Sequence, residues 1–213
     1  MKIVVVAIVL FFSQFVSAEE QTAEPSLQSY LDKLNSYEAN FQQQRYSVNR
    51  QLLDTTSGRF VLKRPSQFVW QTYSPFEQTI SSDGETIWTM DIDLEQVIIS
   101  PVDQQIENAP IYLLTEAQQT IEEVFEIEHQ VVEKVDYFVL LPKDESGAFE
   151  RLRIGFNAGT LASLELYDSL GQLTRINMTN IRNNPLVDVS QFSLSIPEDY
   201  DIIDNRPISD PNP

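Results

Sequence analysis

The chain has 213 residues, with 14 Lys and Arg against 32 Asp and Glu, one His and no Cys. A net charge of −18 repels nucleic acid and anionic lipid headgroups and favours encounter with a basic protein surface, unless it serves only solubility. The missing cysteines exclude disulfides, thiolate metal sites and a lipidated N-terminal Cys.

Lys2 precedes the apolar run Ile3 to Phe12, and Val16-Ser17-Ala18 has the small residues of a leader-cleavage site. Residues 1–18 therefore read as a secretory signal peptide removed after Ala18, since the run is too short and too poorly flanked to span a bilayer. The expected product is residues 19–213, a single unanchored domain in the periplasm, monomeric, with a flexible tail from about residue 203.

Pro25 and Ser26 open an amphipathic helix, with Leu27, Tyr30, Leu31 and Leu34 on one face. From Tyr37 the period drops to two, and the polar run to Gln51 reads as the end of a strand and a hairpin loop. Lys63-Arg64-Pro65 lies between the β-rich runs Arg59–Leu62 and Phe68–Thr72, which predicts a strand corner, because proline lacks a ladder N–H. Arg64 either snorkels from that corner to water or reaches across to latch a movable segment.

Asp83-Gly84 between Thr79-Ile80-Ser81 and Thr86–Met90 is the strongest hairpin signal. Further strands are expected at Leu94–Ser100, Phe125–Val135, Tyr137–Leu141, Phe149–Phe156, Leu161–Tyr167 and Leu173–Ile181. The regular turn spacing gives about eleven strands in one large antiparallel sheet. Asn108–Thr115 and Glu116–Val124 break the pattern as two short helices, the first apolar on most sides, so that they either plug a barrel mouth or form a lid.

The order and spacing of several segments resemble the outer-membrane lipoprotein carrier family, LolA. They are Leu31-Asp32-Lys33 with Ala39 and Phe41-Gln42, Lys63-Arg64-Pro65 with Phe68 and Trp70, Ser82-Asp83-Gly84 with Thr86 and Trp88, Asn108-Ala109-Pro110, and Phe138-Val139-Leu140 before Pro142. The resemblance implies a mainly β (α+β) fold, an unclosed half β-barrel of about eleven antiparallel strands with a helical lid over a hydrophobic cavity for lipoprotein acyl chains. It implies that Arg64 hydrogen-bonds to the lid and holds the empty carrier shut, and that Phe68 matters for the carrier cycle. The lining expected for cavity and lid is Leu31, Leu34, Phe41, Phe60, Leu62, Phe68, Trp70, Ile80, Trp88, Met90, Pro110, Ile111, Leu113 and Leu114.

The partners implied are lipoproteins, an inner-membrane lipoprotein-releasing ABC transporter and the outer-membrane receptor lipoprotein LolB, with no cofactor and no metal. One departure stands out: Tyr200 to Pro213, with Pro207, Pro211 and Pro213, does not look like a structured C-terminal extension.

An enzyme is not expected. His129, the only histidine, reads as a solvent-facing strand residue, and no G-x-S-x-G elbow accompanies it. Asp91-Asp93 and Glu122-Glu123 lack the glycine-centred loop of a calcium site. The alternative function is a lipid- or protein-binding periplasmic sensor domain of the same half-barrel type.

Overall fold

The computed structural model describes residues 26–102, 114, 121–144 and 149–207. Ser26 caps α1 (Leu27–Leu31), its Oγ accepting from the Ser29 amide at 3.3 Å. Leu27 and Leu31, four residues apart, are both buried, so the short helix is held by one apolar face.

The alternation read from Tyr37 onward becomes β1 (Ser36–Tyr46), followed by β2 (Leu52–Lys63), β3 (Gln67–Ser74), β4 (Gln78–Asp83), β5 (Thr86–Asp91) and β6 (Gln96–Pro101). Gly84 takes the left-handed backbone of the β4–β5 turn at φ 105°, and Asp83 Oδ1 accepts from the amides of Glu85 and Thr86. After α2 (Ile121–Val124) come β7 (Phe125–Val132), β8 (Val135–Pro142), β9 (Phe149–Asn157), β10 (Thr160–Asp168) and β11 (Leu173–Asn183). A 3-10 turn at Val189–Phe192 and β12 (Asp201–Asp204) complete the described chain.

Among the described residues twelve strands form one sheet in the order β12-β6-β5-β4-β3-β2-β1-β11-β10-β9-β8-β7, and the two edge strands do not pair, so the sheet is unclosed. Eleven strands are antiparallel, as the turn spacing predicts. The twelfth, Asp201–Asp204, runs parallel to β6, with Ile202 opposite Val97 and Ile203 opposite Ile98. It lies at the start of Tyr200–Pro213, the stretch that does not look like a structured extension in the sequence, and runs into the flexible tail expected from about residue 203. Residues 1–18 and the last six residues of the tail lie outside the described residues.

The order of strands decides where the apolar surface goes. β6 and β7 are consecutive in the chain yet stand near opposite edges, so the segment between them, called the crossing segment here, links the two ends of the strand order. Its described residues Val102, Leu114 and Ile121 are all buried in the same cluster as Leu27, Leu31, Phe60, Phe68, Phe138 and Phe156. One face, called inner here, thus carries the core together with α1 and with Val102, Leu114 and Ile121. Part of the outer face is covered by the C-terminal strap: Ser81 Oγ donates to the Phe192 carbonyl at 2.7 Å, and Phe192 is 1% exposed.

Tyr37 ties the two halves of the sheet together from the inner side. Its hydroxyl donates to the Leu161 carbonyl on β10 at 2.7 Å, and burial pushes its pKa well above the ordinary phenol value. Tyr37→Phe keeps the ring but leaves that carbonyl unpaired, so an expected loss of about 1–3 kcal/mol follows. Thermal unfolding should show Tm lowered by several degrees; an unchanged Tm would mean that the bond contributes nothing net.

Candidate functional site

The antiparallel register fixes which side chains share the inner face. Across β1 to β5 one row runs Tyr37, Leu62, Phe68, Ser82 and Ile87, and the next runs Ala39, Phe60, Trp70, Ile80 and Thr89. Phe41 stacks on Trp70 with ring centroids 3.9 Å apart. That contact needs Gly58, because a Cβ there would lie 2.7 Å from Phe41 Cζ and 1.8 Å from the Gln71 carbonyl oxygen.

Of the residues expected to line a cavity, the structure brings together Leu31, Leu34, Phe41, Phe60, Leu62, Phe68 and Leu114 as buried members of this cluster, with Trp70 and Ile80 packed against it. Trp88 and Met90 differ from that expectation. Trp88 pairs with Ser81 and Met90 with Thr79, on the outer face, so in β5 it is Ile87 that points inward. Pro110, Ile111 and Leu113 lie outside the described residues.

The other half of the inner face is absent from the sequence-derived lining. Phe138 and Leu140 on β8, Leu152, Ile154 and Phe156 on β9, Leu161 and Leu164 on β10, and Ile176 and Met178 on β11 belong to the same cluster. Their alternation was visible as strand pattern; only the pairing order assigns them to the face that Phe60 and Phe68 occupy.

Arg64 sits in the turn between β2 and β3, where its amide donates to the Asn35 carbonyl at 2.9 Å. Its Nε donates to the carbonyl of Leu114 at 2.9 Å, fifty residues away in the crossing segment. Leu114 itself is fully buried. One terminal guanidinium nitrogen of Arg64 is buried without a partner among the described residues. Burial accordingly pulls the Arg64 pKa down, and the neighbouring Asp32 carboxylate opposes that shift. A permanent charge held half-dry by a single carbonyl is costly unless the contact is used.

α1 is fastened to the far half of the sheet by Tyr30. Its ring packs on Phe138 and Phe156, with centroids at 5.3 Å and 4.7 Å, and its hydroxyl donates to Asp136 Oδ2 at 2.9 Å. His129 is not turned to solvent as its alternation suggests. It lies over Phe138 on the inner face, with 18% of its side chain exposed, and its Nε2 contacts Asp136 Oδ1 at 2.9 Å. The reason is local: Asp136, on the same face of the neighbouring strand β8, supplies partners to both Tyr30 and His129. No group of three or more His, Cys, Asp or Glu able to hold a metal occurs among the described residues.

Chemically, this arrangement offers a continuous apolar surface roofed by a short helix and a crossing segment, with one charged contact at the seam. Residues 32–195 match the family described as outer membrane lipoprotein carrier protein LolA. Similar relatives are an outer-membrane lipoprotein carrier protein of Azotobacter vinelandii, 34% identical over 95% of this chain and 97% of the relative, and one of Methylococcus capsulatus, 35% identical over 90% and 92%. A solved structure of an uncharacterized conserved protein from Thermus thermophilus has the same fold, with TM-score 0.53 and 13% identity over 83% of this chain and 98% of that one. Because the likeness to named carriers runs nearly end to end in both directions, the chain belongs to the LolA family of outer-membrane lipoprotein carrier proteins.

Proposed function

We propose that this protein is a periplasmic, non-enzymatic carrier that takes the acyl chains of lipoproteins released from the inner membrane by an ABC transporter and delivers them to the outer-membrane receptor LolB. In this reading residues 1–18 are the export leader and residues 19–213 form the carrier domain. The supporting observation is the Arg64 Nε bond to the Leu114 carbonyl at 2.9 Å, which clamps the crossing segment onto an apolar sheet face. Phe60, Leu62, Phe68, Trp70, Leu31 and Leu34 would contact the fatty tails when the lid, including Pro110, Ile111 and Leu113, moves aside.

Magnitudes favour a carrier that closes when empty. Burial of an acyl chain is worth about 0.8 kcal/mol per CH₂, so three chains of roughly sixteen carbons would total tens of kcal/mol. Noncovalent binding saturates near −20 kcal/mol, and cargo held that tightly would not leave. An empty state whose own apolar residues are already packed together returns part of that gain. Leu114 at 0% exposure, seated in one cluster with Phe60 and Phe68, fits such a state.

The test is co-purification from cells expressing the carrier with its transporter, with mass spectrometry of what remains bound: triacylated lipoprotein is expected. Recovery of a protein without lipid would favour a sensor domain instead. A finer check separates the two faces. Displacement of a fluorescent fatty acid should weaken about tenfold or more in Trp70→Ala, from loss of the ring stacked on Phe41, and stay near wild type in Trp88→Ala on the outer face. Equal losses in both would remove the inner face as the acyl site.

A further inference from the structure

The outer face over β8 to β11 and β1 concentrates positive charge on an acidic chain. Arg153, Glu165, Arg175 and Gln44 are direct cross-strand neighbours, and one step along the strands lie Arg151, Tyr167, Leu173 and Tyr46. Arg50 joins from the β1–β2 turn, its guanidinium 5.3 Å from the centre of the Tyr167 ring. Four of the fourteen basic residues therefore gather in one strip, two on the Glu165 carboxylate and two on the Tyr167 ring.

That carboxylate is already used. Glu165 accepts from Arg153 at 3.3 Å through one oxygen and from Arg175 at 2.8 Å through the other. Arg50 and Arg151 have no carboxylate partner among the described residues; both lie over the same ring, Arg151 at 3.9 Å. Two cations sharing one ring repel each other unless an anion comes between or beside them.

The local structure holds this strip flat and open. Arg153 stacks on Tyr137 at 3.6 Å, and Tyr137 can lie down because Gly155 is bare: a Cβ there would sit 2.8 Å from Tyr137 Cε1. Tyr46, Arg50, Tyr167, Leu173 and Arg175 line a depression of about 300 Å³. The C-terminal strap, which contacts the outer side of the sheet at β3 and β4 and then pairs along the edge of β6, has no comparable contact with this half among the described residues.

The geometry points to this strip as a docking surface for an acidic, extended segment of a partner protein. Stacked guanidiniums present their N–H edges along the sheet, a fork that matches carboxylates, and arginine with tyrosine is the composition of interface centres. The strip crosses five strands at about 4.8 Å spacing, a width that about six extended residues cover. The chain as a whole, at net −18, repels a whole anionic bilayer, whereas a single segment meets only the patch. The site is on the opposite face from the acyl-chain reading and does not depend on it.

The experiment is fluorescence anisotropy with a labelled peptide of about ten residues alternating Glu or Asp with Leu, long enough to span the strip. Arg50→Asn and Arg151→Gln are combined, since Arg50 holds a positive φ that Asn tolerates and Arg151 is exposed. Expected are binding that weakens at least tenfold in the double variant and falls steeply with salt, with fatty-acid capture by the inner face unchanged. For the wild type alone, the same peptide with Lys replacing each acid should not bind, which tests the idea without any variant. Equal binding by both proteins, equal binding of the Lys peptide, or arginine-dependent retention on phosphatidylglycerol vesicles without peptide binding would each overturn it.

Discussion

Arg64→Leu is expected to leave the carrier able to take up acyl chains but slow to give them up. The substitution removes the one donor that joins the β2–β3 corner to the Leu114 carbonyl. A hydrogen bond from a charged group contributes about 1.5–3 kcal/mol, which translates into roughly a ten- to hundredfold shift between closed empty and open loaded states. With cargo release coupled to re-closing, as proposed above, transfer from loaded carrier to receptor should fall by a similar factor while loading is kept. The fold itself should tolerate the change, because the variant also removes a buried guanidinium nitrogen that has no partner among the described residues. Transfer measured at wild-type rate, or uptake lost together with transfer, would remove the latch from the mechanism.

Gly58→Ala should cost stability more than any exposed substitution, through a clash with backbone rather than through lost contacts. The new Cβ would stand 1.8 Å from the Gln71 carbonyl oxygen, an atom held by its own strand, and 2.7 Å from Phe41 Cζ. Neither neighbour is the free end of a flexible side chain, so β3 has to shift or the Phe41–Trp70 stack has to part. Overpacking of this kind costs about 1–3 kcal/mol and more where backbone must move. At the upper end the expected Tm loss is about 6–12 °C for a chain of this size. Circular dichroism melting would show it, and a Tm within a degree of wild type would mean that β2 and β3 can part there without strain.

These expectations rest on elements that were unequally legible in the sequence. The eleven antiparallel strands were readable because alternation and turn chemistry repeat so regularly: Asp83-Gly84 marks one hairpin, and Lys134, Ala158 and Gly171 take positive φ in three others. β12 was not, because Asp201–Asp204 is four exposed residues near prolines, and a parallel edge strand draws its register from β6 rather than from its own pattern. The Arg64 corner was visible as a charge beside a break in two apolar strands. Its partner was not, since the contact spans fifty residues and depends on where Leu114, between β6 and β7, meets the core.

Face assignment was the weakest step. Trp88 is larger than Ile87, and bulk favours the wrong residue when only one strand is read. The pairing of Phe68 with Ser82 and of Ser82 with Ile87 decides it, and a one-residue slip would reverse every choice along β5. His129 failed for a related reason: polarity suggested water, whereas its partner Asp136 comes from the adjacent strand.

The sheet's strand order also dictates when the molecule can finish folding. β1 is bonded on one side to β2, but its other neighbour is β11, with Phe41 opposite Met178. As the chain is made from its N-terminal end, the first strand must wait with a bare edge until nearly all of the rest has followed, a situation that slows folding and invites wrong pairing. The apolar inner side stands uncovered for the same interval, so newly made molecules are the population most in need of a holding chaperone.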